Sequence, residues 1–198
     1  MYPLKVISFY TPDWDYPKYA DLLKKDCDRL GLDHYIVEKP STNSYVGNCQ
    51  IKAFFIRDSL EQFKCPILWI DADGSLLKSP DLLIDQNMAQ FDIAGNHPVG
   101  SPHRVHVGSL WFNYTDAAKK FIDVWCTSIE QKKPLDDAAF NGTWDRMKND
   151  IKFFTLPPSY FCILRNPGEA NIPGDAHIVH RLSCSDLKLA YKKAVEGK

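Results

Sequence analysis

Four consecutive apolar residues, Ile67-Leu-Trp-Ile70, run directly into Asp71-Ala-Asp73-Gly74. A strand-length run that is apolar at every position, rather than at every second one, has to be covered on both faces. Sheets covered on both faces are those with helices packed above and below, so this stretch selects the α/β class. The flanking sequence agrees. Leu4 to Tyr10 is rich in β-formers and is stopped by Thr11-Pro12-Asp13, and Asp33 to Glu38 reads as another strand. Between them Tyr19, Leu22, Leu23, Cys27 and Leu30 recur at three- and four-residue spacings, predicting an amphipathic helix over 16–30 that ends at Gly31. A polar loop over 39–47 precedes a second helix, expected from about Cys49 to Phe63. The order βαβαβ predicts one domain with a mixed, mostly parallel central sheet flanked by helices.

Further strands are expected at 92–95 and 107–112. Further helices are expected at 115–131, with Thr115 or Asp116 as N-cap, and at 136–147. Past Phe153 the chain turns rich in proline and glycine (Pro157-Pro158, Pro167-Gly168, Pro173-Gly174), which predicts a wall of loops closing a site.

Twenty-four Lys and Arg stand against 25 Asp and Glu, so the chain carries no overall field for holding a polyanion. Nucleic acid would need a local patch, for which Arg104, Arg146, Lys148, Lys152 and Arg165 are the candidates; this partner is not favoured. No apolar run approaches the ~20 residues that cross a bilayer, and the first residues lack the pattern of a signal peptide. The expectation is a cytoplasmic protein without a membrane partner. Six cysteines with no CxxC pair are expected to be reduced, small, apolar side chains.

An apolar strand ending in Asp-x-Asp places two carboxylates at the carboxyl edge of the sheet, where ligands of open α/β sheets bind. If the strand continues through them, they project to one side, roughly 7 Å apart. Hard oxygen donors in this arrangement suit Mn²⁺ or Mg²⁺ shared with substrate phosphates. Gly74 would let the backbone turn away without a side chain blocking the ion. Asp and Gly are also ordinary turn residues, and phosphohydrolases and nucleotidyltransferases place acidic pairs at strand ends too. The motif therefore indicates a metal site before it indicates a reaction.

The pattern of apolar strand, Asp71-Ala72-Asp73, short loop and Leu76-Leu-Lys-Ser-Pro80 resembles the small metal-dependent glycosyltransferases of the GT-A fold, especially the family 8-like nucleotide-diphosphosugar transferases. The resemblance extends in order along most of the chain. It implies a nucleotide-binding half over 1–75 and a sugar and acceptor half over 76–198. It implies that Tyr10, Thr11 and Ala72 meet the nucleotide, and that Lys52 reaches the donor from the helix before the Asp-x-Asp strand. Asp71, Asp73 and His180 would hold the metal, with His180 in Ala176-His-Ile-Val-His180 resembling a late histidine strand. Phe91-Asp-Ile-Ala-Gly-Asn96 resembles the strand lining the sugar pocket, with Asn96 at its end. Val107-Gly-Ser-Leu-Trp-Phe-Asn113 resembles a further strand whose leading Asn is replaced here by His106. Leu135-Asp136-Asp137-Ala-Ala-Phe140 resembles the start of a catalytic helix, Asp136 falling where the family has Gln. Lys188 would take the part of a donor-phosphate lysine. A retaining outcome follows from the resemblance, while a carboxylate in the glutamine position leaves an inverting base open. The implied donor is a nucleotide-diphosphosugar, with UDP as nucleotide. The acceptor is a glycan, a protein or a modified DNA base. A small enzyme of this kind fits a bacterial or phage setting.

Other features admit plainer readings. His97, His103 and His106 have no helical or zinc-finger spacing and read as a loop overhanging the site, with Arg104 adding positive charge. His177 and His180 fall on opposite faces of a strand, so one of them at most is a ligand. Asp13, Trp14, Asp15 and Tyr16 either flank a base or cap the first helix. Asp136 and Asp137 either act in chemistry or simply favour a helix dipole. The alternatives to a transferase are a nucleotidyltransferase or sugar-nucleotide phosphohydrolase using the same carboxylates, and a non-catalytic binding module. The segment after the first strand, Thr11 to Asp15, has none of the Gly and Lys/Arg expected of a nucleotidyltransferase loop.

Overall fold

The computed structural model describes residues 3–98, 100–164 and 172–181. Strands β1 (Lys5–Tyr10), β2 (His34–Glu38), β3 (Ile67–Ile70), β4 (Gly74–Leu76), β5 (Ile93–Gly95), β6 (Ser109–Phe112), β7 (Phe153–Thr155), β8 (Cys162–Ile163) and β9 (Ile178–His180) alternate with helices. The α-helices are α1 (Tyr16–Leu30), α2 (Tyr45–Phe63), α3 (Asp116–Lys132) and α4 (Asp136–Met147). Six strands form the main sheet in the order β2-β1-β3-β6-β5-β7. The sheet is mixed and mostly parallel: β1 pairs in parallel with β2 and β3, as β5 does with β7, while β6 runs antiparallel between β3 and β5.

The unbroken apolar run now has its explanation. Ile67 and Trp69 of β3 enter one core with α2, α3 and α4, while Leu68 and Ile70 enter the other, with α1. All four are buried. Helix α1 ends as expected at Gly31, whose φ of 66° lies in the left-handed region that glycine enters at least cost. Of the two candidate caps for α3, Thr115 is the one used: its hydroxyl accepts from the Ala118 amide and donates to Asp92 at 2.7 Å.

Two expectations need correcting. Helix α2 starts at Tyr45, four residues earlier than the apolar pattern suggested, because the Ser44 side chain accepts from the Gly47 amide and caps a turn of mixed polarity. The segment after Phe153 is also more than loops. Strand β7 extends the main sheet, and β8 and β9 join β4 in a small second sheet of order β4-β9-β8. The open edge of β4 is covered by α1, where Asp26 accepts from the Leu76 amide and Arg29 donates to the Leu76 carbonyl. This substitutes side chains for a missing strand neighbour.

Cys27 and Cys126 are buried, and Cys49, Cys65 and Cys162 half-buried; all five are free thiols. Cys184 lies outside the described residues. Among the described residues no helix is long and apolar enough to cross a membrane.

Candidate active site at the carboxyl ends of β1 and β3

A cleft of about 630 Å³ opens where β1 and β3 end, a size within the usual range for small-molecule sites. Tyr10, Thr11, Lys52, Asp71, Ala72, Asp73, His106, Asp136, Asp137 and His180 all line it, so the fold gathers nearly every residue singled out in the sequence. Asn96 is the exception. Its amide donates to the Leu156 carbonyl at 2.9 Å and its own carbonyl accepts from the His106 amide, so it braces the loop behind the cleft wall. Lys188 lies outside the described residues.

The two aspartates do not continue the strand. Regular pairing of β3 stops at Ile70, and the Gly74 amide donates to the Asp71 carbonyl at 2.7 Å, closing a turn. Asp71 and Asp73 therefore sit on a tight bend, and the same-face strand spacing does not apply. Gly74 is required here for close approach: a Cβ would lie 2.4 Å from Ile70 Cγ2 and 3.3 Å from the His180 ring. The register of β4 with β9 sets Gly74 opposite His180, which brings the imidazole beside Asp73, with Nδ1 3.7 Å from Oδ1. On its other side, His180 Nε2 is 2.7 Å from the Ser109 hydroxyl, which fixes the ring's orientation. His177, three residues earlier, stacks on Tyr160 and does not line the cleft.

Lys52 is almost fully buried, and its ammonium lies 2.6 Å from Asp136, 2.8 Å from Asp71 and 3.3 Å from the Val107 carbonyl. Burial opposes its charge, but the carboxylates of Asp136 and Asp71 outweigh that and hold it above its ordinary value. All three of its protons are used inside the protein. In this arrangement Lys52 lines the cleft and ties the Asp-x-Asp turn to the start of α4. Asp71 also accepts from the Trp69 indole at 2.9 Å. Asp137, one residue on, is half-buried and meets Arg104 at 3.4 Å.

Four carboxylates and two basic side chains, Lys52 and Arg104, line the cleft among the described residues. That excess of negative charge repels an anionic ligand unless a cation accompanies it. Two carboxylates and an imidazole on adjoining strands and turn have the donor chemistry for Mn²⁺ or Mg²⁺. Among the described residues, as placed, no three His, Cys, Asp or Glu side chains are close enough together to hold an ion by themselves. A metal here would depend on ligand oxygens to complete its shell.

The remaining wall was only partly foreseen. Trp14, Tyr16 and Tyr45 supply aromatic surface near β1, and Trp14 is 56% exposed with a left-handed φ of 52°. Asp15 makes no side-chain cap to α1, and Asp13 instead accepts from Asn48 at 3.0 Å. His106 stacks on Phe161 at 4.1 Å, and Phe161 in turn meets His180 at 4.5 Å. Gly108 leaves room for both rings. Cys49 also lines the cleft, but burial and the nearby Asp136 push its thiol up to about 12, so it offers no thiolate nucleophile.

No protein-family model and no curated protein sequence matches the chain. Solved structures do. A glycosyltransferase involved in glycosylation of the major capsid of PBCV-1 superposes with a TM-score of 0.69 at 17% identity, over 98% of this chain and 99% of that one. The WbbM bifunctional glycosyltransferase gives 0.60 at 10% identity, over 91% of this chain and 46% of that one. The galactosyltransferase LgtC, solved with donor and acceptor sugar analogs, gives 0.56 at 10% identity, over 90% and 87%. Over almost its whole length, the chain has the GT-A fold of glycosyltransferases.

Proposed function

We propose that the protein is a metal-dependent glycosyltransferase that takes a sugar from a nucleotide-diphosphosugar, with UDP as the nucleotide. The observation that carries this reading is the charge of the cleft among the described residues: four carboxylates against the basic side chains of Lys52 and Arg104, on a fold shared with glycosyltransferases. Such a site favours a diphosphate that brings a divalent cation with it. In this reading Asp71, Asp73 and His180 would supply the protein donors for Mn²⁺ or Mg²⁺, with phosphate oxygens of the ligand completing the shell. The ion would neutralise charge developing on the departing nucleoside diphosphate.

The chain's own residues do the rest. Tyr10, Thr11 and Ala72, where β1 and β3 end, receive the nucleotide in the half formed by 1–75. Trp14 and Tyr16 offer rings on which a base can stack. Ser109 keeps the His180 ring turned so that Nδ1 faces Asp73. Lys52 holds Asp136 and Asp71 in fixed positions, so the charges that receive the donor need no rearrangement on binding. Asp136 is committed to Lys52, which leaves Asp137, at the mouth and only loosely held by Arg104, to meet the acceptor hydroxyl. His106, on the wall beside Phe161, borders the donor sugar. LgtC was solved with an acceptor sugar analog, which makes a glycan the first acceptor class to try, ahead of a protein or modified DNA base.

The test is release of nucleotide from a panel of UDP-sugars, with and without Mn²⁺, by the protein and by Asp73→Asn. Mn²⁺-dependent appearance of UDP, lost in the variant, supports the reading. Appearance of UMP and a sugar phosphate assigns the site to a phosphohydrolase instead. No release from any donor overturns the transferase reading.

A further inference from the structure

The segment 96–108 carries Arg104, His106 and Gly108 into the cleft, yet its described residues form no helix or strand. Its ends are tied by the His106 amide to the Asn96 carbonyl and by the Gly108 carbonyl to the Asp71 amide, and its middle by Asn141, at mid-helix in α4. The carboxamide Oδ1 accepts from the Val105 amide at 2.8 Å, and Nδ2 donates to the Val105 carbonyl at 3.1 Å, so one side chain pairs both polar groups of one residue as a strand neighbour would. Nδ2 also donates to the Asp137 carbonyl one turn earlier at 2.8 Å. Asn141 is 8% exposed and Val105 is 2% exposed. The Val105 side chain fills a gap left on β5: a Cβ on Gly95 would lie 2.8 Å from Val105 Cγ1. Arg104, the residue before Val105, reaches Asp137, the residue one turn before Asn141.

We infer that Asn141 is a positioning residue: by pairing with the Val105 backbone it sets where Arg104 and His106 stand relative to Asp137. Helix α4 thereby carries both the acidic groups and the clamp for the loop that faces them. Without the carboxamide, two buried backbone groups at Val105 lose their partners, and the cheapest remedy is for the loop to lift toward water. The clamp itself is independent of the reaction; its effect on turnover rests on the transferase reading.

Amide hydrogen exchange tests it, first on the unmodified protein. The Val105 amide is expected to exchange as slowly as those of β6 and far more slowly than those of 100–103. In Asn141→Ala its exchange should rise roughly 10- to 100-fold. In the same variant nucleotide affinity with Mn²⁺ should stay within about twofold while UDP release falls roughly 10- to 100-fold, since misplacement of a wall residue affects the reacting geometry more than donor binding. Fast exchange at Val105 in the unmodified protein, or turnover unchanged in a variant whose loop is released, overturns the inference. If the unmodified protein releases UDP from no donor, the transferase reading fails, while exchange at Val105 still decides the clamp.

Discussion

The two walls of the cleft are made in different ways. One comes from β1, α2 and β3, where parallel ladders fix the backbone and place Thr11, Asp71 and Asp73 as the strands end. The other comes from the 96–108 segment, α4, β8 and β9, where strands of two or three residues and single side chains do the holding. Lys52 spans both, from α2 to Asp71 on one side and to Asp136 and the Val107 carbonyl on the other, beside the Asp71 amide's bond to the Gly108 carbonyl and the approach of His180 to Asp73. On the proposed reading the first is the nucleotide wall, held by ladders, and the second the sugar wall, held by a few single contacts.

The sharpest way to break this comparison is to cut the span. Lys52→Met leaves Asp71 and Asp136 near each other with no counter-charge, and removing one partner from a buried ion cluster costs about 3–5 kcal/mol. Urea unfolding should show a loss of that size. A loss below about 1 kcal/mol would mean that the Lys52 ion cluster contributes little to joining the walls.

A smaller effect probes the sugar wall alone. Burial, with help from His180, Arg104 and His97, pushes the His106 imidazole down to about 4 from an ordinary value of 6.5. The unfolded chain therefore takes up this proton first as pH falls. The stability is complete above about pH 6.5 and is lost progressively down to about pH 4, by at most about 3 kcal/mol. His106→Phe keeps a ring against Phe161 and removes the titration, so unfolding free energy measured from pH 7 to 4 should fall less steeply than in the unmodified protein. Equal slopes would show that His106 is not held neutral there. Smallest of the three is Ser44→Ala on the nucleotide wall, which removes the α2 cap and should cost about 1 kcal/mol with no change in the pH slope.

The same division marks what could be read beforehand. The nucleotide wall was visible because its signals are periodic or continuous: the apolar run of β3, the three-and-four spacing of α1, the stop at Gly31. Helix α4 was placed at its observed bounds for the same reason. His180 was separable from His177 by strand alternation. The contacts of the sugar wall leave no such mark. Strands as short as β4, β8 and β9 hold at most one alternation, too little for a pattern, and pairing of Gly74 with His180 joins residues far apart in the chain. Asn141 gave one weak signal, an amide in mid-helix where such residues are poor formers, but nothing in the pattern points to Val105 as its partner. Lys52 lines the cleft but spends its charge on Asp71 and Asp136, and Asn96 faces the Leu156 carbonyl behind the wall. A sequence shows that a buried lysine or asparagine is present, and only packing shows whether its polar end faces a ligand or its own protein.

The account stands most directly on the claim that this acidic cleft accepts a nucleoside diphosphate only together with a divalent cation. Thermal unfolding with UDP alone, Mn²⁺ alone and both together tests it. At ~100 times its Kd a ligand adds about 2.7 kcal/mol, which for a chain of this size raises Tm by about 5–10 °C. The predicted result is a rise of that order with both present, little with either alone, and none in Asp73→Asn. A full shift with UDP in the presence of a chelator, or one that survives Asp73→Asn, would contradict it.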